Sequence, residues 1–429
     1  MEKNEKNINS NQIAKNDFNI LQVEQGQFNA SLDTNIKMAS NDAFGRLRVS
    51  DPYTLFDSQQ RYRDNEKFST SLTGTGSTAV HMPNESVVNL TVGIGASAEV
   101  IRETKKVFPY QPGKSLLVMN SFAMEAPKAN LRQRIGYFSV QNGVFFEQDG
   151  LNKYIVLRSF TSGSVQERRV NQTQWNGHKF DGTDFYQRNL DPSKGNIFWI
   201  DVEWLGVGDV RCGFVIDGVT ITAHTFHNDN INPTTYMTTA TLPIRCEITN
   251  TAATGSSSTM KQICSTVLSE GGYQGKSYLN SATTSIVNAS MVSTGSEGTR
   301  TPLISIRLKS TNLDSVILPV KIDLICINND LIKYELVLNG TFPGTPAFTS
   351  YASNSNVETS IGGTTISGGT ILQSGFIYQK DNISLGGVDN FNFQLGRTLQ
   401  GVSDIVTIVA TSNGANTKLA AGIGWYELV

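Results

Sequence analysis

GNIFWIDVEWLGVGDVRCGFVIDGVTITAHTFHNDN, residues 195–230, holds three apolar runs in period-two alternation, separated by turns. Phe198, Ile200, Val202 and Trp204 fall on one face of the first run, with Ile197, Trp199, Asp201 and Glu203 on the other. Residues i and i+2 of a strand point the same way, so the pattern predicts a strand with one apolar face. Leu205-Gly206-Val207-Gly208-Asp209 breaks the run with two glycines, as a hairpin connection does. Val210, Cys212, Phe214 and Ile216 line a second strand, and Asp217-Gly218 is a type I′ signal before Val219, Ile221 and Ala223. The stretch therefore predicts an antiparallel meander, with Trp204, Phe214 and Ile216 buried between two sheets.

The same chemistry recurs outward from it. Arg134 to Val140, Val144 to Glu147 and Tyr154 to Phe160 alternate, with Asn142-Gly143 and Asp149-Gly150 as turn signals. Strands follow one another roughly every 10–14 residues, the signature of a sandwich rather than of βαβ units. Thr251 to Thr259 reads as a hairpin tip. A second alternating series (Leu303 to Leu308, Val316 to Ile327, Tyr334 to Leu338, Ile371 to Tyr378, Phe391 to Leu395, Asp404 to Ala410, Ala420 to Leu428) predicts a second sandwich. The expected fold class is all-β: two tandem antiparallel β-sandwiches preceded by a flexible N-terminal arm. The expected boundaries are 1–64 for the arm and the segment after it, 65–275, a linker at 276–300, and 301–429. The polar stretch Phe342 to Gly369 is long for a loop, and loops of that length tend to be functional or partner-bound.

The order aromatic-x-Ile-x-Val-x-Trp, glycine-rich turn, apolar strand and Asp-Gly resembles the back sheet of concanavalin A-like jelly rolls. Legume-type lectins, laminin-G-like modules and many glucanases share that fold. The resemblance implies a jelly roll for the first sandwich and names no activity.

Composition narrows the classes of partner. Of the 429 residues, 35 are Lys or Arg and 37 Asp or Glu, a net charge of −2, so no electrostatic attraction to nucleic acid or an anionic membrane is expected. No apolar run approaches the roughly 18 residues of a membrane helix. The opening MEKNEKNINSNQIAKN has no apolar segment and does not read as a secretory leader. Cys212, Cys246, Cys264 and Cys326 form no CxxC pair, and three occupy inward strand positions, so they read as small buried hydrophobes.

Residues 1 to about 40 are rich in Asn, Lys and Gln and bury too little surface to offset ordering entropy. AFGRLRVSDPYTLFDSQQRY, starting at Ala43, follows them. This string resembles the N-terminal signature of a family of virion structural proteins of tailed bacteriophages and other large double-stranded DNA viruses. LPIRCEITN (Leu242 to Asn250) and GIGWYEL (Gly422 to Leu428) fit the same family. The resemblance implies a non-enzymatic protein of the virion, assembled in the host cytoplasm with itself and with other particle proteins. Arg46 and Arg48 share a strand face between Phe44 and Tyr53, with Phe56 beyond. These five residues form a candidate assembly interface, since Arg and aromatics are enriched at such contacts. The alternative is an exposed edge strand whose arginines pair with Asp42 and Asp57. By analogy with jelly rolls in capsids and fibres, the expected oligomer is a trimer.

The candidates for chemistry are few. Asp201 and Glu203 share a strand face, but Trp199 stands where a retaining glycosidase of this fold would carry its first Glu, so both read as solvated carboxylates. His224 and His227 with Asp229 invite a metal, yet residues i and i+3 of a strand face opposite ways, and they read as polar strand-end groups. Ile361 to Gly369 lacks the Lys-Ser/Thr of a P-loop. Arg168, Arg169 and Trp175 are a candidate glycan platform, the basis of an alternative reading as a carbohydrate-binding module on a host surface. No catalytic centre, metal or cofactor is expected.

Overall fold

The computed structural model describes residues 51–183, 187–272, 277–378 and 393–428, together with the backbone of 382–386. The first unit opens with β1 (Tyr53–Ser58), β2 (Phe68–Thr73), β3 (Thr78–Met82), β4 (Val87–Val92) and β5 (Glu99–Thr104). It continues with β6 (Ser115–Ala123), β7 (Leu131–Phe138), β8 (Gly143–Asp149), β9 (Asn152–Ser159) and β10 (Gln166–Asn171). Last come β11 (Asn196–Val202), β12 (Val210–Ile216), β13 (Val219–Phe226), β14 (Ile244–Asn250) and β15 (Ser258–Glu270). One sheet has eight strands in the order β13-β12-β11-β6-β15-β4-β3, with β1 also on β15. The other has seven, ordered β10-β9-β8-β7-β14-β5-β2. The fold is all-β, a jelly-roll sandwich in which the quoted meander forms one end of the eight-stranded sheet.

The predicted alternation sets the core. Phe198, Ile200, Val202, Cys212 and Phe214 all face inward and are buried. Phe214 meets Phe146 of the opposite sheet edge-on at 5.2 Å, a ring contact between the sheets, and packs beside Phe198 of its own sheet at 5.3 Å. Asp217 and Gly218 have φ of 52° and 77°, as their turn requires. Cys212, Cys246 and Cys326 are buried free thiols, and Cys264 is half-buried.

Several expectations change. Trp204 and Ile216 are half-buried rather than core. β11 ends at Val202, so Trp204 caps the end of the sandwich, edge-on to Tyr110 at 5.8 Å, its indole N–H donating to the Met237 carbonyl. Asn142-Gly143 is not a type I′ turn, because only Gly143 has a positive φ. Thr251 to Thr259 is no hairpin tip: it crosses from β14 in one sheet to β15 in the other. The sandwich begins at Tyr53, not at 65, since β1 pairs with β15.

The second unit comprises β16 (Tyr278–Thr283), β17 (Val292–Ser293), β18 (Arg300–Leu308), β19 (Val316–Cys326), β20 (Leu331–Leu338) and β21 (Thr349–Ser350). It ends with β22 (Val357–Ile361), β23 (Thr370–Tyr378), β24 (Asn382–Gly386), β25 (Ile405–Ser412) and β26 (Lys418–Leu428). A five-stranded sheet (β16-β26-β19-β24, with β17 on β26) faces a six-stranded one (β21-β22-β18-β25-β20-β23). Trp425, Ile423, Ile322, Leu324, Ile304 and Ile408 fill the space between. The expected linker thus contributes β16 and β17 to this sandwich. Phe342 to Gly369 is not one long loop, because β21 and β22 pair within it and β22 joins β18. Residues 393–395 of the expected Phe391 to Leu395 strand are not strand.

The two units meet along residues 394–399. Arg397 N donates to the Lys105 carbonyl at 2.8 Å, Gln394 Nε2 to the Val107 carbonyl at 3.0 Å, and Leu399 N to Ser69 Oγ at 3.0 Å.

The core geometry ranks two substitutions. Phe214→Ala should destabilise the protein by about 3–5 kcal/mol, the range for large buried aromatics, and Trp204→Ala by clearly less. Denaturant unfolding of both variants checks the order, and equal losses would place Trp204 in the core after all.

Candidate functional site

Among the described residues, the outer face of the seven-stranded sheet carries the densest cluster of paired charges. Strand register brings opposite charges across from each other: Glu103 opposite Arg245, Glu247 opposite Arg134, Arg134 opposite Glu147, and Arg158 opposite Glu167. Arg245 holds Glu103 at 2.6 Å and Glu247 at 2.6 Å. Arg134 Nε lies 2.6 Å from Glu147, and its Nη1 is 3.4 Å from Glu247. Arg169 grips the other oxygen of Glu147 and reaches Asp149 at 2.8 Å, while Arg158 pairs with Glu167 at 2.7 Å. The chain of charges crosses β5, β14, β7, β8, β9 and β10 without a break.

Aromatic rings lie beneath the guanidinium groups. Phe138 and Phe145, 4.4 Å apart, are fully buried although they face away from the main core. Arg134 and Arg158 each sit 5.0 Å over Phe145, and Arg245 5.8 Å over Phe138. Burial alone would raise the Glu247 carboxyl, but Arg245 and Arg134 outweigh it and hold the group below the usual carboxylate range. Each carboxylate in the chain is engaged by arginine. Such an arrangement fixes strands and closes a face.

The predicted site residues are dispersed. Phe44, Arg46 and Arg48 lie outside the described residues. Tyr53 is 48% exposed on β1, but its neighbour Phe56 is in the core, in contact with Phe68 and Phe108, and is withdrawn as an interface residue. Trp175 is withdrawn as a glycan contact: it is 2% exposed and donates its indole N–H to the Val170 carbonyl at 3.0 Å. Arg168 and Arg169 occupy opposite faces of β10, one 4.5 Å over Phe226 and the other 4.3 Å over Tyr154, so the three residues do not form one platform.

Asp201 is not solvated. It is fully buried and ion-paired with Arg211, its cross-strand neighbour, while Trp199 lies over Gly213, where a Cβ would come within 2.8 Å of the ring. The two histidines separate as strand geometry requires. His224 is buried and accepts from Asn176 N at 3.3 Å, and its imidazole is pushed down to about 4 by burial and then by the charges of Arg168 and His227. His227 lies 2.8 Å from Asp209, and with Asp229 these ligand atoms fall within 4.8 Å of one another. The hydrogen bond to Asp209 accounts for His227.

A feature that was not anticipated joins β1 to β2. Gln59 and residues 61–67 line an open depression of about 620 Å³, with Tyr62 78% exposed, Arg61 4.7 Å over its ring, and Arg63 pairing with Glu66.

No protein-family model and no curated protein matches the chain. Among solved structures it is similar to the carbohydrate recognition domain of Emp47p (10% identity, 50% of this chain and 96% of that one, TM-score 0.31). It is similar to a Bacteroides ovatus mixed-linkage glucan GH16 protein in complex with a product (11% identity, 50% and 99%, TM-score 0.32). A third similarity is to the CBM2 module of an evolved Dit protein of Lactobacillus casei BL23 phage J-1 (5% identity, 52% and 99%, TM-score 0.33). At these identities and TM-scores the similarities assign no chemistry to this chain.

Glu247→Ala should cost about 3–5 kcal/mol, because it leaves buried Arg245 and Arg134 without a shared partner. Thermal unfolding beside the wild type measures this, and a loss under about 1 kcal/mol would mean that the charges behave as surface pairs.

Acid should act in two stages. Both His224 and Glu247 have folded pKa values below their unfolded ones, so the stability they contribute is complete above the unfolded values and lost as pH falls. The melting temperature should begin to fall below about pH 6.5 as unfolded-state His224 protonates, a contribution on the order of 3 kcal/mol by about pH 4, and Glu247 adds its loss below about 4.3. His224→Gln should remove the first stage alone. An unchanged profile in that variant would overturn the assignment.

Proposed function

We propose that this protein is a non-enzymatic structural component of a virion, working by assembly with copies of itself and with other particle proteins. The carrying observation is a set of large apolar side chains left exposed along the edges of the second sandwich. They include Tyr278 and Leu279 on β16, Ile286 and Val287 beyond it, and Leu372 and Phe376 on β23. Large exposed apolar side chains at sheet edges are candidate protein-contact groups. The string from Ala43 to Tyr62, with its likeness to virion structural proteins, supplies the setting, and exposed Tyr53 and Tyr62 give that segment aromatic contact groups. In particles purified by density gradient from a producing culture, peptides of this chain should band with the particle in stoichiometric amounts. Confinement to the soluble lysate would overturn the proposal.

A glycan-binding role is the second reading, favoured by one observation. At the β10 end of the charge chain, half-exposed Asp149 and Arg169 lie beside Tyr154, a polar and aromatic strip open to solvent. A glycan-array signal lost in Arg169→Ala would favour it.

A further inference from the structure

Alternation gives the eight-stranded sheet an outer face, and part of that face is buried. Phe198, Ile200, Cys212 and Phe214 point into the sandwich core, so Trp199, Asp201 and Arg211 point away from it. They are nonetheless only 2%, 0% and 6% exposed. Across the sheet, Asp201 lies beside Leu117 and Leu117 beside Leu268, while Trp199 lies beside Met119 and Met119 beside Thr266. Among these residues and Arg211 the only charges are those of Asp201 and Arg211, which pair with each other. Burial on an outward face requires a covering layer. The seven-stranded sheet is not that layer, because it packs on the inner side, through Phe146 against Phe198 and Phe214. The second sandwich joins at Ser69, Lys105 and Val107, beside the seven-stranded sheet.

We propose that this face is the docking site of the chain's own segment from Ala43 to Ser50, laid in extended form across β15, β6, β11, β12 and β13. The described chain begins at Asp51 and enters the same sheet at once, as β1 beside β15, with Thr54 opposite Leu268. β1 and β13 are five strand spacings apart, about 24 Å, which roughly eight extended residues span. The pattern of the segment fits the floor. In AFGRLRVS, Ala43, Gly45, Leu47 and Val49 share one face, small and apolar, while Phe44, Arg46 and Arg48 share the other. Setting the apolar face on Leu117, Met119 and Trp199 removes both surfaces from water. The guanidinium groups then stay outward, where no unpaired charge is buried. Phe44, Arg46 and Arg48 therefore remain available to an assembly partner, but the docking itself does not depend on the virion reading.

The test uses the full chain with Cys264→Ser, because Cys264 is half-buried, and with Met119→Cys as a reporter on the floor. Native Cys212, buried on the inner face, reports whether the sandwich stays folded. The thiol at position 119 should react with a maleimide at least about tenfold faster once Leu47 and Val49 are both changed to Asp, since carboxylates resist burial against apolar groups. Cys212 should stay unreactive throughout. An unchanged rate at position 119 overturns the proposal. If Cys212 reacts as well, a cross-link in the chain with Leu47→Cys and Met119→Cys decides alone. A short bis-maleimide should join those two thiols within one chain, which then runs at 46.8 kDa under denaturing conditions. The absence of any link overturns the docking, and a band at twice that mass overturns its assignment to the chain's own arm. Banding with particles, which tests the virion role, is independent of either result.

Discussion

Charged groups that lie on a closed sheet face must be paired, and in this protein strand register does the pairing. Four of the ion pairs on the seven-stranded sheet are directly opposite residues in adjacent strands. Slipping any one strand by a residue would turn its charges into the apolar core and its core residues outward. The arginine–glutamate chain therefore specifies register more than it adds stability. A buried ion pair roughly offsets its own desolvation, whereas one missing partner is expensive. The rings of Phe138 and Phe145 complete the device by giving the guanidinium planes an apolar floor, in place of a second water-facing layer.

This face was legible in part. Arg245-x-Glu247, Glu147-x-Asp149 and Glu167-x-Arg169 are charges at i, i+2 along single strands, a spacing that puts both on one face. That signal was available from sequence. Which strand lies beside which was not, and pairing Arg134 with Glu247 across 113 residues depends on it. The meander was legible because its alternation and turns are local. Trp204 was misplaced because alternation in sequence runs past Val202, where pairing stops. Trp175 was misplaced because a polar neighbourhood in sequence said nothing of the core cavity that receives its ring.

The second sandwich taught the opposite lesson. Polar, glycine-rich composition from Phe342 to Gly369 suggested a loop, yet β22 pairs with β18 through backbone groups that composition does not report. Short edge strands with Thr and Ser on both faces carry little periodicity, and such strands are read only from their partners.

The junction between the two units follows from the same charge requirement. On the first sandwich's own face, the ion-paired groups are five carboxylates (Glu103, Glu147, Asp149, Glu167, Glu247) and four guanidinium groups (Arg134, Arg158, Arg169, Arg245). Arg397 of the second sandwich supplies the fifth, 2.5 Å from the free oxygen of buried Glu103, and spans on to Asp314 at 3.0 Å. Separating the sandwiches would leave Glu103, only 1% exposed, with one partner where it now has two. The two units are thus joined where one completes the other's charge balance, and the backbone bonds at Lys105, Val107 and Ser69 hold Arg397 in place to do so.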